Sequence, residues 1–388
     1  MSLGDVLHQG FAQRLIQRAV TTDRLPHAYL FHGPDGVGKE TLALALAQLL
    51  LCGAPTEIEV DVARRASVGV ERLRVGCGRC EDCRLVAART HPDLHLIYRQ
   101  LAHDHPDAQV RKRMAKELSV DVVRHFITAK VGRTPARGRT KIFVVREANL
   151  MKASAQNALL KTLEEPPGAT VIILLAISAD RLLPTTRSRC QSIRFDGLPT
   201  AFVETQFAKL QPEVAPDEAK WYARCSDGSI GRAVEFVADG LFAINHRLIE
   251  NLVNIGGNTK SGALTAVVKA WTDHAKALGD VYRKRDPNMT ATEASRLGLK
   301  QLFGLASWWY ADVLRFCSGE RATVVNEHLT QALEVMAKAL DAKQAIDAIN
   351  RINQAGGHLD SNVYTQLCVE TLLHDLARLG RGEGLLVG

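Results

Sequence analysis

A chain of 388 residues with 46% apolar and 23% charged side chains is ordinary globular material for two or three domains, which excludes a disordered or fibrous protein. No run approaches the about 18 uncharged apolar residues of a membrane span, and the polar, amphipathic stretch Met1 to Ala19 lacks the apolar core of a secretion signal, so a soluble cytoplasmic protein with no membrane partner is expected. A net charge of +7 tolerates a nucleic-acid partner without demanding one, and eight cysteines in a cytoplasmic chain direct attention to clustering rather than to disulfides.

From about Ala28 to Ile177, short apolar runs alternate with helical patterns, which predicts a parallel sheet covered by helices. The first strand, His27 to His32, runs into Gly33-Pro-Asp-Gly-Val-Gly-Lys39. A helix follows from Lys39 to Cys52 with Leu42, Leu46, Leu49 and Leu50 on one face. A glycine-rich turn between a strand and a helix N-terminus is where backbone N–H groups cradle phosphate oxygens, so Gly33, Gly36, Gly38 and Lys39 form a candidate nucleotide loop. The full motif places a Ser or Thr hydroxyl on Mg²⁺ directly after the lysine. Here Glu40 stands there and Thr41 comes one place late.

Four of the cysteines cluster. Cys77, Cys80 and Cys83 repeat at x₂ spacing with Gly78 and Asp82 in the turns, and Cys52 at the end of the phosphate-loop helix supplies a fourth thiol. Four thiolates suit a closed tetrahedral structural Zn²⁺ site with no open position for catalysis. Thiol exchange is the rival reading of Cys-x-x-Cys, though overlapping pairs do not resemble a thioredoxin motif. His91, before Pro92, reads as a turn residue because the thiols already complete the shell.

Further strands are predicted over Asp93 to Tyr98, Lys141 to Val145 and Thr170 to Ala176. Ile142-Phe-Val-Val145 has the form of the second phosphate-loop motif, in which Asp holds the metal and Glu orients water, but Arg146 and Glu147 follow it. An Arg about 5 Å from Mg²⁺ would repel it by roughly 7 kcal/mol at an effective dielectric of ~20. Catalytic Mg²⁺ and hydrolysis are therefore not expected, whereas ATP binding without turnover stays open. Both altered positions converge on one ion in intact phosphate-loop proteins, so Glu40 and Arg146 are predicted to be neighbours and to form an ion pair in its place. The basic run Lys130, Arg133, Arg137, Arg139 and Lys141 is a candidate DNA contact, a subunit contact or a solvated face.

Pro184 and the polar Thr185 to Arg189 segment end the sheet region; helices broken at Pro212, Pro216 and Gly228 follow to Gly240, and the rest reads as helix to Leu379. Trp308, Trp309 and Tyr310 read as core packing, since no basic residues interleave them.

Several blocks together are specific. Arg24-Leu-Pro-His-Ala28, Pro135-Ala-Arg-Gly-Arg139, Asn157-Ala-Leu-Leu-Lys-Thr-Leu-Glu-Glu-Pro-Pro167 and Arg187-Ser-Arg-Cys190 resemble bacterial DNA polymerase III clamp-loader subunits of the AAA+ class, well over the first 240 residues and by helical character beyond. The resemblance implies a RecA-like α/β domain over residues 1–182 carrying a zinc module at 52–83, a helical lid over 183–240 and an all-helical collar over 241–388. Implied partners are the gamma/tau and delta subunits, the sliding clamp and primer-template DNA. It further implies that Arg189 is an arginine finger acting in trans on a neighbour's ATP; Cys190, with no His near it in sequence, reads as a small buried packing residue rather than a nucleophile. The altered metal motifs, Ile177 where gamma/tau has a sensor Thr, and Gly231 where it has an Arg, with Arg232 one residue late, favour the ATPase-deficient delta-prime branch. The alternative is an active gamma/tau-type ATPase; a stand-alone helicase or remodeller would need intact metal motifs. The 24 residues between Cys52 and Cys77 exceed the family's spacing, and Gly53 to Val75 reads as an inserted loop of mixed charge with a composition compatible with disorder.

Overall fold

The apolar runs build a five-stranded parallel sheet in the order β4-β5-β6-β1-β7, made of β1 (Ala28–His32), β4 (Leu94–Ile97), β5 (Lys141–Val145), β6 (Thr170–Ala176) and β7 (Gln191–Arg194). The structure, a computed structural model, describes residues 2–112, 115–137, 140–256, 261–287, 289–320, 324–360 and 364–381. Its contacts divide the chain into two units, Met1–Pro199 and Thr200–Gly388.

In the first unit every residue of β5 and β6 is buried, as strands covered on both faces require. Helices α1 (Gly10–Thr21) and α2 (Lys39–Leu51) follow the predicted pattern; α2 is buried on nearly all sides, which suits its run of alternating Leu and Ala. The parallel strands place the loop after β1 and the end of β5 on the same edge of the sheet, separated by β6. β7 carries the unit on to Pro199, past the boundary expected at residue 182, because Gln191 to Arg194 pairs with Tyr29 to His32 and Ile193 enters the core.

The insertion between Cys52 and Cys77 is not a structureless loop. It folds as an antiparallel hairpin, β2 (Thr56–Glu59) and β3 (Arg72–Val75), joined by α3 (Val62–Val68). Glu57 lies opposite Arg74 and Glu59 opposite Arg72, so the charges complement across the hairpin, while Leu73, Val75, Val60 and Val68 are buried. Arg64 fixes α3 by donating to Gly4 O at 2.9 Å and Val6 O at 3.2 Å. At Gly10 the α3 backbone approaches so closely that a Cβ would lie 2.7 Å from Ser67.

The second unit is helical. Thr200–Leu210, Pro216–Cys225 and Ile230–Ala238 are followed by helices from Leu241–Gly256 to Thr365–Gly380. One apolar cluster runs through these helices, including Phe207, Trp221, Trp271, Trp309, Tyr310 and Leu373, so the tryptophan–tyrosine group is packing material, as expected. Asp312, fully buried, accepts from the backbone of Val325 and Asn326 and from Asn326 Nδ2 and Arg315, which satisfies its charge. Among the described residues no helix is long and apolar enough to cross a membrane.

Candidate functional site

The phosphate loop needs unusual backbone. Gly33 and Gly38 adopt φ of 146° and 100°, and Gly38 is the N-cap of α2, so a side chain at either would strain the turn that aims backbone toward the cleft. Lys39 is buried and turned back onto that turn: Nζ donates to Gly33 O at 2.5 Å, Pro34 O at 2.6 Å and Asp35 Oδ1 at 3.2 Å. Burial lowers its pKa, and a phosphate would have to exchange for these three acceptors. Thr41 follows Glu40 in α2 and so points about 100° further round the helix.

Glu40 and Arg146 meet where the two altered motifs converge. Arg146 Nη2 donates to Glu40 Oε1 in a short contact, with the two side chains 26% and 31% exposed. Arg146 also lies over the Tyr98 ring, 5.7 Å from its centroid. A second guanidinium joins them: Arg89 Nη2 stands 3.1 Å from the same Glu40 oxygen.

Sequence reasoning missed Arg89, and its position has a specific cause. Helix α4 (Glu81–Ala87) ends with Arg89 N donating to Val86 O and Thr90 N to Leu85 O, the paired closure of a left-handed helix terminus. Arg89 holds φ of 61° at the position where glycine is the default. Two guanidiniums on one carboxylate leave a net positive charge where Mg²⁺ would sit, which disfavours the ion. Glu147 is engaged elsewhere, its Oε2 accepting from Arg99 N at 3.2 Å and its Oε1 ion-paired with the Arg99 guanidinium, 3.2 Å from Nε.

At the other end of α2 the four cysteines converge. Cys52, Cys77, Cys80 and Cys83 place their Sγ atoms within 4.8 Å of one another, with 3.9 Å between Cys52 and Cys80 and between Cys77 and Cys83. A tetrahedron with ~2.3 Å metal–sulfur bonds has edges of about 3.8 Å, so the set fits a tetrahedral metal ion. Backbone N–H groups of Cys77, Cys80 and Cys83 donate to the Sγ of Cys52, Cys77 and Cys80 at 3.3, 3.4 and 3.4 Å. Backbone donors from Arg79 and Cys80 draw the Cys77 thiol down to about 6, whereas burial pushes Cys52 and Cys83 up. Ionising all four together requires a cation among them. His91 is buried outside this shell, its Nδ1 accepting from Asp93 N at 3.0 Å and its Nε2 3.4 Å from Asp82.

Arg189 follows the short helix α6 (Pro184–Arg187). Its Nε donates to Glu164 Oε1 at 2.6 Å, Nη2 makes a short contact with the same oxygen, and Nη1 donates to Thr185 O at 2.8 Å. Cys190 beside it packs against the core, and burial pushes its thiol up to about 12. The basic run is largely engaged. Lys141 is buried with Nζ donating to Lys130 O at 2.8 Å and to Arg133 O, Arg137 pairs with Glu81 and Asp82, and Lys130 lies over Phe126. Arg139 lies outside the described residues.

A family model described as DNA polymerase III, delta subunit, matches residues 8–199. DNA polymerase III subunit delta' of Bacillus subtilis (strain 168) is 26% identical over 361 residues, 93% of each chain. The Escherichia coli (strain K12) subunit delta' is 33% identical over 208 residues, 54% of this chain and 53% of the relative; the tau subunit of the same organism is 26% identical over 77% of this chain and 43% of its own length. A solved DNA polymerase III gamma subunit-related protein from Thermotoga maritima aligns over 96% of this chain and all of its own at 13% identity, with a TM-score of 0.44. On the family model and the delta' relatives, the chain belongs to the DNA polymerase III delta' family of clamp-loader subunits.

Proposed function

We propose that this chain is the ATPase-deficient subunit of a clamp loader, and that it lends Arg189 to ATP held by a neighbouring gamma/tau subunit. The carrying observation is the Glu40–Arg146 pair, which takes both positions that an intact phosphate-loop protein gives to Mg²⁺. Without the ion, no metal bridges the β- and γ-phosphate oxygens in this cleft as charge builds on a transferred phosphoryl group. A guanidinium supplied across an interface stabilises that charge in the neighbour's cleft instead.

In this reading Cys52, Cys77, Cys80 and Cys83 hold a structural Zn²⁺ that supplies stability rather than chemistry, with Cys52 tying the module to α2. The RecA-like domain runs to Pro199, so that it includes β7, the lid follows to residue 240 and the collar takes 241–388. The partners are the gamma/tau and delta subunits, the sliding clamp and primer-template DNA, and the place of work is the cytoplasm.

Incubating the purified chain with ATP and Mg²⁺, alone and then with a gamma/tau-type partner, tests the proposal. The expected result is no turnover by the chain alone and stimulation of the partner. Turnover by the chain alone at a gamma/tau-like rate would overturn it.

A further inference from the structure

Arg189 is exposed enough to reach a neighbour, yet its guanidinium is held from behind. Of its five N–H donors, Nε and one on Nη2 converge on Glu164 Oε1, and one on Nη1 goes to Thr185 O. One donor is left on each terminal nitrogen. Because Glu164 occupies the edge shared by Nε and Nη2, the remaining Nη2 donor faces the Nη1 side, the end of the guanidinium that can meet a phosphoryl group.

The carboxylate sits where it is otherwise disfavoured. Glu164 is the last residue of helix α5 (Ala153–Glu164), beside Glu165, and a negative charge at a helix C-terminus is opposed by the helix dipole. Its support is rigid. Leu163 is fully buried and its carbonyl is bonded to His27 Nε2 at 2.7 Å, while Gln156 of the same helix accepts from Leu183 N at 2.8 Å, just before α6. α5 and the segment bearing Arg189 are thus bound to each other as well as to the start of β1.

From this geometry we infer that Glu164 is a positioning residue for Arg189: it holds the guanidinium by its Nε edge so that the terminal fork faces outward before a neighbour's ATP arrives. The inference rests on the reading of Arg189 as a finger. A preset fork forgoes the search over side-chain rotamers in the reacting complex, and misplacement of a reacting group by about 1 Å costs roughly 100-fold.

The test is steady-state ATP hydrolysis by the assembled loader, reconstituted with Glu164→Ala, Glu164→Gln or Arg189→Ala in the full chain, with assembly checked by gel filtration. Glu164→Ala should lower kcat by about 10- to 100-fold while KM for ATP stays constant, because only a transition-state contact is loosened. Glu164→Gln keeps an oxygen for the same two donors and should restore kcat to within about threefold of wild type. Arg189→Ala should lower kcat further than Glu164→Ala does. A wild-type kcat for Glu164→Ala beside a defective Arg189→Ala would overturn the role of Glu164 and leave the finger standing. An unchanged Arg189→Ala would overturn both. A Glu164→Ala defect that follows lost assembly, or that Gln fails to rescue, would assign Glu164 a structural role and overturn the inference.

Discussion

Helix α2 ends on a cluster of ionisable side chains at each side, and the two differ in where a balancing cation would come from. At its C-terminal end Cys52 completes a set of four thiols spaced for a metal ion. At its N-terminal end Glu40 meets Arg146 and Arg89, so the positive charge is already covalently part of the chain. The first site needs an external ion to offset its own ionisation; the second repels one. On the proposed function, losing a metal site in a partly buried cleft takes more than deleting ligands, since the charge that remains must still be answered.

Removing the cation from each end should expose this asymmetry. The largest effect is expected at the thiol cluster: the purified chain should contain about one equivalent of zinc, and Cys80→Ser should lose it. Structural zinc in isolated peptides is worth ~10–16 kcal/mol, of which a unit with its own core forfeits only part. A loss of about 3 kcal/mol would lower the thermal midpoint by roughly 6–12 °C. Metal analysis showing no zinc in protein purified under reducing conditions would remove the contrast between the two ends.

A smaller effect is expected at the other end. Arg146→Ala leaves Glu40 with only the half-exposed Arg89 and should cost about 1–2 kcal/mol in denaturant unfolding. Glu40→Ala combined with Arg146→Ala should cost less than the sum of the two single changes, because the pair is lost only once. Additive effects would show that the two charges do not depend on each other.

The smallest effect is expected at Arg89, where two terms oppose. Arg89→Gly removes a half-exposed ion pair worth at most about 1 kcal/mol and relieves a left-handed backbone costing a similar amount, so stability should change by less than about 0.5 kcal/mol. Arg89→Ala removes the pair and keeps the strain, so it should be the less stable of the two. The opposite order would mean that the backbone at Arg89 is unstrained.

What could be read from the chain depended on whether the signal was local. β5 and β6 are buried along their whole length, and their β-branched runs announce them. β7 has one buried residue, Ile193, and lies at the sheet edge, so nothing in Gln191 to Arg194 marks a strand. The β2–β3 hairpin was obscured because Thr56 to Glu59 buries no residue, although the alternation in Arg72-Leu-Arg-Val75 and the opposite charges of the two strands were visible.

At the site, Glu40 and Arg146 were predictable as neighbours because both motifs converge on one ion. Arg89 and Glu164 were not, since each reaches its partner through a turn or a helix end that only the folded chain defines. The basic run shows the reverse failure: a row of like charges in sequence does not reveal that Lys141 is buried against backbone carbonyls or that Arg137 is paired.

Whether the guanidinium has taken the place of Mg²⁺ is tested most directly by a nucleotide-binding titration with and without Mg²⁺ on the double variant Glu40→Thr with Arg146→Asp, beside each single change. Mg²⁺-dependent binding that appears in the double variant and in neither single one is the predicted result, because either remaining partner still obstructs the ion. Binding by the double variant that is indifferent to Mg²⁺, or full Mg²⁺ dependence in a single variant, would contradict it.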